Sequence, residues 1–307
     1  MRDRSVRIQA TDLAHPYQMT FTGVGGEVLQ LDLTPQQMTL LNARFSREYL
    51  KRCRAERIYD AIENAVNYKQ LEELARSYSL CDFCDFATIN IYGLKRFLRV
   101  VVDVLYRYPK LRSKMCYLGS PKGYSAAMDR MASGDVEVLR GFALQYICEE
   151  RAARQFGTMM RRLVDAFLSC HDRYIAMAVY AFGMFDAVLL DENDYDGYSY
   201  IALVSGLRRD AASGFHPQGC GSPESVVYHE LGHLIDYLCG LSEKFALRDY
   251  VRRLSPDDVR TGLSQYATTS TQELIAEAFA EWMCNDTPRP IAKQIGRIID
   301  SEYRRLS

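Results

Sequence analysis

The sequence predicts an α+β fold that is mostly helical, with a small sheet and a helical N-terminal region. Three observations support this prediction. Helical apolar spacing recurs over much of 35–108 and 135–182, short strand-like segments occur at 18–33 and 185–204, and a well-capped helix is expected at 222–240. Apolar residues make up 48% of the 307-residue chain, which is enough to form a buried core.

The first half of the chain predicts strands followed by helices. Segments 18–22 and 27–33 alternate around a glycine-rich turn, and Thr34-Pro35 then signals a helix start. Helical patterns continue to Tyr108-Pro109, and the apolar stretch 92–106 is expected inside a helical layer. We expect a domain boundary near residue 110, which divides an N-terminal region of unknown role (1–110) from a second domain (111–307).

The second half predicts a loop, a long helical region and two more strands. The loop is expected at 118–124, and the helical region at 135–182 with a break near His171. Strands are expected at 185–190 and 198–204, with an acidic turn between them. Another loop, 214–221, leads into the capped helix.

Composition and charge bear on the choice of partner and on location. The formal net charge is −1, which does not favour a nucleic acid or a membrane surface as the main partner. No apolar segment follows the charged N-terminus, and no stretch reaches 18 uninterrupted apolar residues. We therefore expect a cytoplasmic protein, with export by a signal-independent route left open. The sequence does not indicate the oligomeric state.

The cysteines indicate a reducing compartment. There are nine of them, an odd number, scattered along the chain rather than spaced as a disulfide framework. Cys81 and Cys84 have the spacing of two cysteine ligands in a structural zinc site. Such a site needs a second pair of cysteines. We interpret these two residues as ordinary thiols near a helix start.

The helix at 222–240 carries the strongest local signals. Ser222-Pro223-Glu224 combines an N-cap, a proline at the first helical position and an acid in the first turn, and Gly240 suits the C-terminal end. One face is an apolar stripe of four residues: Val227, Leu231, Leu234 and Leu238. Gly232 costs about 1 kcal/mol relative to alanine in a helix, so we expect a close packing partner there.

The opposite face carries His229-Glu230-x-x-His233, with Asp236 one turn further on. Two histidines four residues apart point the same way on a helix and can bind one Zn²⁺. Glu230, one residue round the helix, is placed to take a proton from a water molecule activated by the metal. With only five histidines in the chain, this pattern is a specific prediction of a zinc site.

The third metal ligand is expected downstream. Catalytic zinc normally has three protein ligands, and the position ten residues after His229 is Cys239 instead of histidine. Asp236 is more typical of a group that supports a histidine, although it stays open as a ligand. Glu273 is the better candidate, with Glu277 one turn later as the acceptor of a proton from a ligand histidine. In the alternative interpretation, Ser270-x-x-Glu273 is a capping box.

The combined pattern resembles the catalytic domain of anthrax lethal factor and the related zincins found near phage head-morphogenesis proteins. The similarity covers roughly 115–307 and depends on His229-Glu-Leu-Gly-His233-Leu-Ile-Asp236, on Tyr266-x6-Glu273-x2-Ala-Glu277-Ala-Phe279 and on the loop Gly214-Phe-His-Pro. The resemblance implies a zincin-like fold of the gluzincin type, with His229, His233 and Glu273 as zinc ligands. It also implies Glu230 as general base and Tyr266 as a donor to the oxyanion.

These observations predict a zinc metallopeptidase that hydrolyses internal peptide bonds of a protein or peptide substrate. The alternative is a phage-derived structural or assembly protein that keeps the site for folding. A structural zinc site would be closed by a fourth protein ligand, for which Cys239 and Asp236 are the candidates.

Overall fold

The computed structural model describes residues 5–9, 17–22, 28–33, 54–133, 155, 157–159, 161–162, 176–179, 186–190 and 197–306. The chain divides into two compact units, 1–57 and 58–307. The second unit thus begins well before the boundary that we expected near residue 110. Strands on either side of residue 110 pair in one sheet, which joins these segments in a single unit.

The first unit contains a three-stranded antiparallel sheet. Its strands are β1 (Ser5–Gln9), β2 (Tyr17–Thr22) and β3 (Val28–Leu33), in the order β1-β2-β3. The two strands predicted around the glycine turn are therefore confirmed as β2 and β3. The helix predicted to start at Thr34-Pro35 falls within 34–53, a segment that lies outside the described residues.

The second unit is mostly helical around a small mixed sheet. The sheet consists of β4 (Phe83–Asp85), β5 (Tyr117–Gly119), β6 (Ala176–Val179) and β7 (Ala187–Leu190), in the order β4-β5-β7-β6. The first three strands in this order run parallel, and β6 is antiparallel to β7 at one edge. This architecture confirms the α+β fold class with a small sheet.

The described helices of this unit begin with residues 58–64, the greater part of a helix that starts at residue 54. They continue with α1 (Tyr68–Ser77), α2 (Ile91–Arg107), α3 (Pro121–Ser133), α4 (Gly197–Ser213), α5 (Pro223–Cys239), α6 (Phe245–Val251), α7 (Pro256–Gly262), α8 (Thr271–Cys284) and α9 (Pro290–Arg305). Short 3₁₀ helices lie at Pro109–Lys114, Leu241–Glu243 and Tyr266–Thr268. None of the described helices is long and apolar enough to cross a membrane.

Helix α5 lies at the centre of the helical layer. It packs against α8 on one side and α2 on another, and α8 in turn packs on α9. The predicted stripe is mostly buried, with Val227, Leu231 and Leu234 no more than 1% exposed. Helix α2 is buried on several faces, as its apolar sequence predicted, and ends before Tyr108-Pro109.

Several local predictions are wrong. The predicted strand 198–204 is part of helix α4, in which Leu203 and Leu207 are buried at helical spacing. The predicted loop 118–124 contains the end of β5 and the start of α3. Strand β4, which includes Cys84, interrupts the predicted helical region. Residues 176–179 form a strand rather than a helix. Short apolar runs do not distinguish a buried strand from a buried helix, and three-residue strands are too short to show alternation.

Candidate metal centre

The caps of α5 agree with the sequence prediction. The Ser222 hydroxyl accepts a hydrogen bond from the Ser225 backbone N–H, Pro223 occupies the first helical position, and Gly240 ends the helix with a φ of 60°. These caps fix where the helix begins and ends. They therefore fix which face carries His229 and His233.

Gly232 allows α5 and α8 to approach closely. A methyl group at this position would lie 2.9 Å from Ala276 Cα and 3.1 Å from Phe279 Cβ. The close packing partner expected from the sequence is therefore the backbone of α8. This contact brings the polar face of α5 against the two acids of α8, Glu273 and Glu277.

Glu273 lies in the first turn of α8 and faces the histidines. Its backbone N–H donates to the Ser270 hydroxyl at 3.1 Å, so Ser270 caps the helix. The Glu273 carboxylate, however, is directed at His229 and His233 instead of folding back on the Ser270 backbone. Of the capping box in the alternative interpretation, the Ser270 contact is therefore present, whereas the Glu273 side chain does not take part.

Three potential ligand atoms converge at this point. Glu273 Oε2 lies 3.0 Å from His229 Nε2 and 3.5 Å from His233 Nε2, and the two Nε2 atoms are 3.2 Å apart. Across the part of the chain that the structure describes, this is the one group of at least three His, Cys, Asp or Glu side chains with ligand atoms within 4.8 Å of one another. The arrangement can hold a single metal ion.

The polar atoms of the cluster fit a cation. Glu273 Oε2 is buried and has no hydrogen-bond donor, although His229 Nε2 is only 3.0 Å away. His229 Nδ1 is occupied by Glu277, so a neutral His229 presents the lone pair of Nε2 towards Glu273. Lone pairs that face one another at this distance repel unless a proton or a metal ion lies between them.

Electrostatics lead to the same conclusion. Burial disfavours a charged His229, but the acceptor carboxylates of Glu273 and Glu277 outweigh this effect and raise the pKa of His229 to about 10. Burial likewise opposes ionisation of Glu273, but the two histidines lower its pKa to about 2. The raised pKa of His229 reports a negative potential at its ring, which attracts a divalent cation as well as a proton, and the lowered pKa of Glu273 keeps that carboxylate ionised as a possible ligand.

Glu277 is buried directly behind the cluster. Its carboxylate accepts hydrogen bonds from His229 Nδ1 at 2.8 Å and from the Ser264 hydroxyl at 2.7 Å, and His216 Nδ1 lies 3.3 Å away. Burial opposes its ionisation, but His216 and His229 lower the pKa of Glu277 to about 2. Glu277 thus fixes the tautomer and the ring orientation of His229, and its role behind a metal ligand stays a prediction.

Glu230 is held at the edge of the sheet. Its Oε2 atom accepts a hydrogen bond of 2.6 Å from the backbone N–H of Ala178 in the edge strand β6. The charge of Glu230 contributes to the raised pKa of both His229 and Tyr266, so the three groups share one site.

Tyr266 lies in the loop before α8 and reaches the same site. Its ring centroid is 5.9 Å from that of His229. The loop is anchored because the backbone N–H groups of Gln265 and Tyr266 donate to the carbonyl groups of Gly214 and Phe215. Burial, followed by the charges of three glutamates, raises the pKa of Tyr266 to about 12, which keeps its hydroxyl protonated as a donor.

Asp236 does not support a ligand histidine. Its carboxylate accepts hydrogen bonds from the backbone and the hydroxyl of Ser242, at 2.9 and 2.5 Å, and thereby fixes the chain after α5. The role assigned to Asp236 beside the metal is therefore corrected to a structural one. Cys239, the other possible extra ligand, lies near Glu302 and Lys244, and burial raises the pKa of its thiol to about 11.

Two partners of Glu277 are not predicted by the sequence: His216 and Ser264. Both lie in loops, at no fixed spacing from the histidine motif, so no local pattern marks them. The scarcity of histidine and the position of His216 just before α5 are the signals that could have singled it out.

Comparisons of the chain with protein-family models, curated proteins and solved structures give no match.

Proposed function

We propose that the chain is a zinc-dependent endopeptidase. The observation that carries this proposal is the convergence of His229, His233 and Glu273, in which the buried Glu273 Oε2 has no hydrogen-bond donor. Two imidazoles and one carboxylate form a ligand set typical of catalytic zinc, which leaves a fourth position open.

The surrounding residues suit the hydrolysis of an amide. A bound zinc ion would supply a Lewis acid that polarises a substrate carbonyl and lowers the pKa of water. Glu230 would take a proton from the attacking water and later give it to the leaving amine. The Ala178 N–H donates to Glu230 Oε2 and so orients the carboxylate.

Tyr266 would act on the developing negative charge. Its phenol stays protonated at neutral pH, because its pKa is raised to about 12, and can donate a hydrogen bond to an oxyanion beside His229. Such a donor stabilises the transition state more than the bound substrate.

The contacts of Asp236 and Cys239 favour a catalytic site over a site that serves folding alone. A structural zinc site requires a fourth protein ligand. Asp236 is bound to Ser242, and Cys239 lies beside Glu302 and Lys244. Neither of the two candidates is therefore placed to act as the fourth ligand that a structural or assembly protein would need.

The proposal is tested with a degenerate peptide library and mass spectrometry of the products. Zinc-loaded wild-type protein should generate new termini, and Glu230→Gln should reduce turnover by about 10²–10⁴ while it retains zinc and fold. Glu243→Gln is the matched control, because Glu243 is 84% exposed and lies outside the site. Equal turnover by wild-type protein and Glu230→Gln, or no cleavage by the zinc-loaded protein, would refute the proposal.

A further inference from the structure

The loop that precedes α5 contributes a side chain to the candidate site from outside the two ligand helices. His216 lies in this loop, and its Nδ1 atom is 3.3 and 3.4 Å from the two oxygens of Glu277. The His216 side chain is only 22% exposed, and its ring also packs edge-on against Tyr266, with centroids 5.6 Å apart.

Backbone hydrogen bonds hold this loop in place and thereby fix the position of the His216 side chain. The backbone N–H groups of Phe215 and His216 donate to the Asp210 carbonyl at the end of α4. Gly214, with a φ of +79°, turns the chain at this point, and its carbonyl accepts from the N–H of Gln265. His216 is therefore fixed relative to both α4 and the loop that carries Tyr266.

The Glu277 carboxylate needs all of its partners. The side chain is 2% exposed, so a charged carboxylate must be compensated by hydrogen bonds. His229 Nδ1 and the Ser264 hydroxyl supply two of them, and His216 supplies the third. Without His216, each carboxylate oxygen keeps one of these two hydrogen bonds, from His229 to Oε1 and from Ser264 to Oε2, so the carboxylate and the ring of His229 are held less firmly.

We propose that His216 is a positioning residue, which acts through Glu277 to fix the ring of His229 in the orientation required for binding a metal ion. This inference rests on the proposed function, because it takes His229 to be a metal ligand. It adds a third histidine, beside His229 and His233, to the set of groups that determine metal affinity. It also ties the metal centre to the loop that carries Tyr266.

The experiment measures the metal affinity of His216 variants with Co²⁺ and Zn²⁺ alone, so that no substrate is needed. Co²⁺ is titrated by visible absorption, and Zn²⁺ by competition with a chromophoric chelator. His216→Ala should weaken both affinities by about 10–100-fold, the usual effect of losing a partner that orients a metal ligand. His216→Asn should restore most of this affinity, because its side-chain amide N–H takes the place of Nδ1–H.

Phe215→Ala is the matched control for loop packing. Phe215 lies in the same loop and packs on both His216 and Tyr266, but its side chain makes no hydrogen bond to Glu277. We expect Phe215→Ala to bind both metals as wild-type protein does, and all variants to retain the circular dichroism spectrum of the metal-free protein.

The outcomes separate this inference from the proposed function. Wild-type affinity in His216→Ala, or an affinity of His216→Asn as low as that of His216→Ala, would overturn the positioning role and leave the peptidase proposal standing. Metal binding with the expected order of variants but no peptide cleavage would support the positioning role and overturn the peptidase proposal. A wild-type protein that binds neither metal would overturn both.

Discussion

Substitution of Gly232 by alanine tests how the two ligand helices are brought together. The added methyl group would lie 2.9 Å from Ala276 Cα, which is about 0.6 Å inside the optimum of ~3.5 Å for carbon atoms. The obstacle is backbone, so α5 and α8 must separate. We expect an overpacking cost of about 1–3 kcal/mol, set against a gain of about 1 kcal/mol from the higher helix propensity of alanine.

Gly206 provides the matched control. It lies within helix α4, and a methyl group there would meet no atom within 4 Å. Gly206→Ala should therefore stabilise the protein by about 1 kcal/mol. The difference between the two variants removes the shared propensity term and isolates the cost of separating the helices, which should be about 1–3 kcal/mol.

The assay is denaturant unfolding of the metal-free proteins, followed by zinc titration of the folded variants. Gly232→Ala should unfold at a lower denaturant concentration than Gly206→Ala. It should also bind zinc more weakly than wild-type protein, because Gly232 is adjacent to His233 and Ala276 is adjacent to Glu277. If Gly232→Ala were stabilised as much as Gly206→Ala and bound zinc normally, the close approach of α5 and α8 would not be what assembles the site.

Two further predictions concern the loop that carries Tyr266. Tyr266→Phe should lower kcat by about 10²–10³ with little change in KM or zinc content, as for other oxyanion donors; steady-state kinetics with full activity would contradict this role. Arg289→Ala should destabilise the protein by about 3–5 kcal/mol, because Arg289 pairs with the buried Glu281 and also donates to the Leu263 carbonyl just before that loop. Arg260→Ala, which removes an exposed pair with Asp257, should change the denaturation midpoint little, and equal effects of the two arginine variants would contradict the assignment.

Local sequence signals predicted those parts of the site that lie on helices. The caps of α5 depend on residues next to each other in the chain, and the spacing of His229 and His233 is itself helical. The position of Glu273 required a choice between a cap and a metal ligand. That choice depended on the histidine motif elsewhere in the chain and could not be made from α8 alone.

The remaining features depend on contacts between distant segments. His216 and Ser264 meet at Glu277 only because two loops pair through their backbones, and neither loop carries a periodic pattern. The same limit explains why 198–204 was predicted as a strand, since burial of Leu203 and Leu207 depends on what α4 packs against. Asp236 shares the histidine face of α5 in sequence, but a serine six residues later competes for its carboxylate.

The coordination of zinc tests the central claim most directly. X-ray absorption at the zinc edge of the zinc-loaded protein should show two histidine nitrogens and carboxylate or water oxygens at about 2.0–2.2 Å, with no sulfur at about 2.3 Å. His229→Ala should lose this spectrum together with stoichiometric zinc. A sulfur shell, four protein ligands with no water, or an unchanged spectrum in His229→Ala would contradict an open site formed by His229, His233 and Glu273.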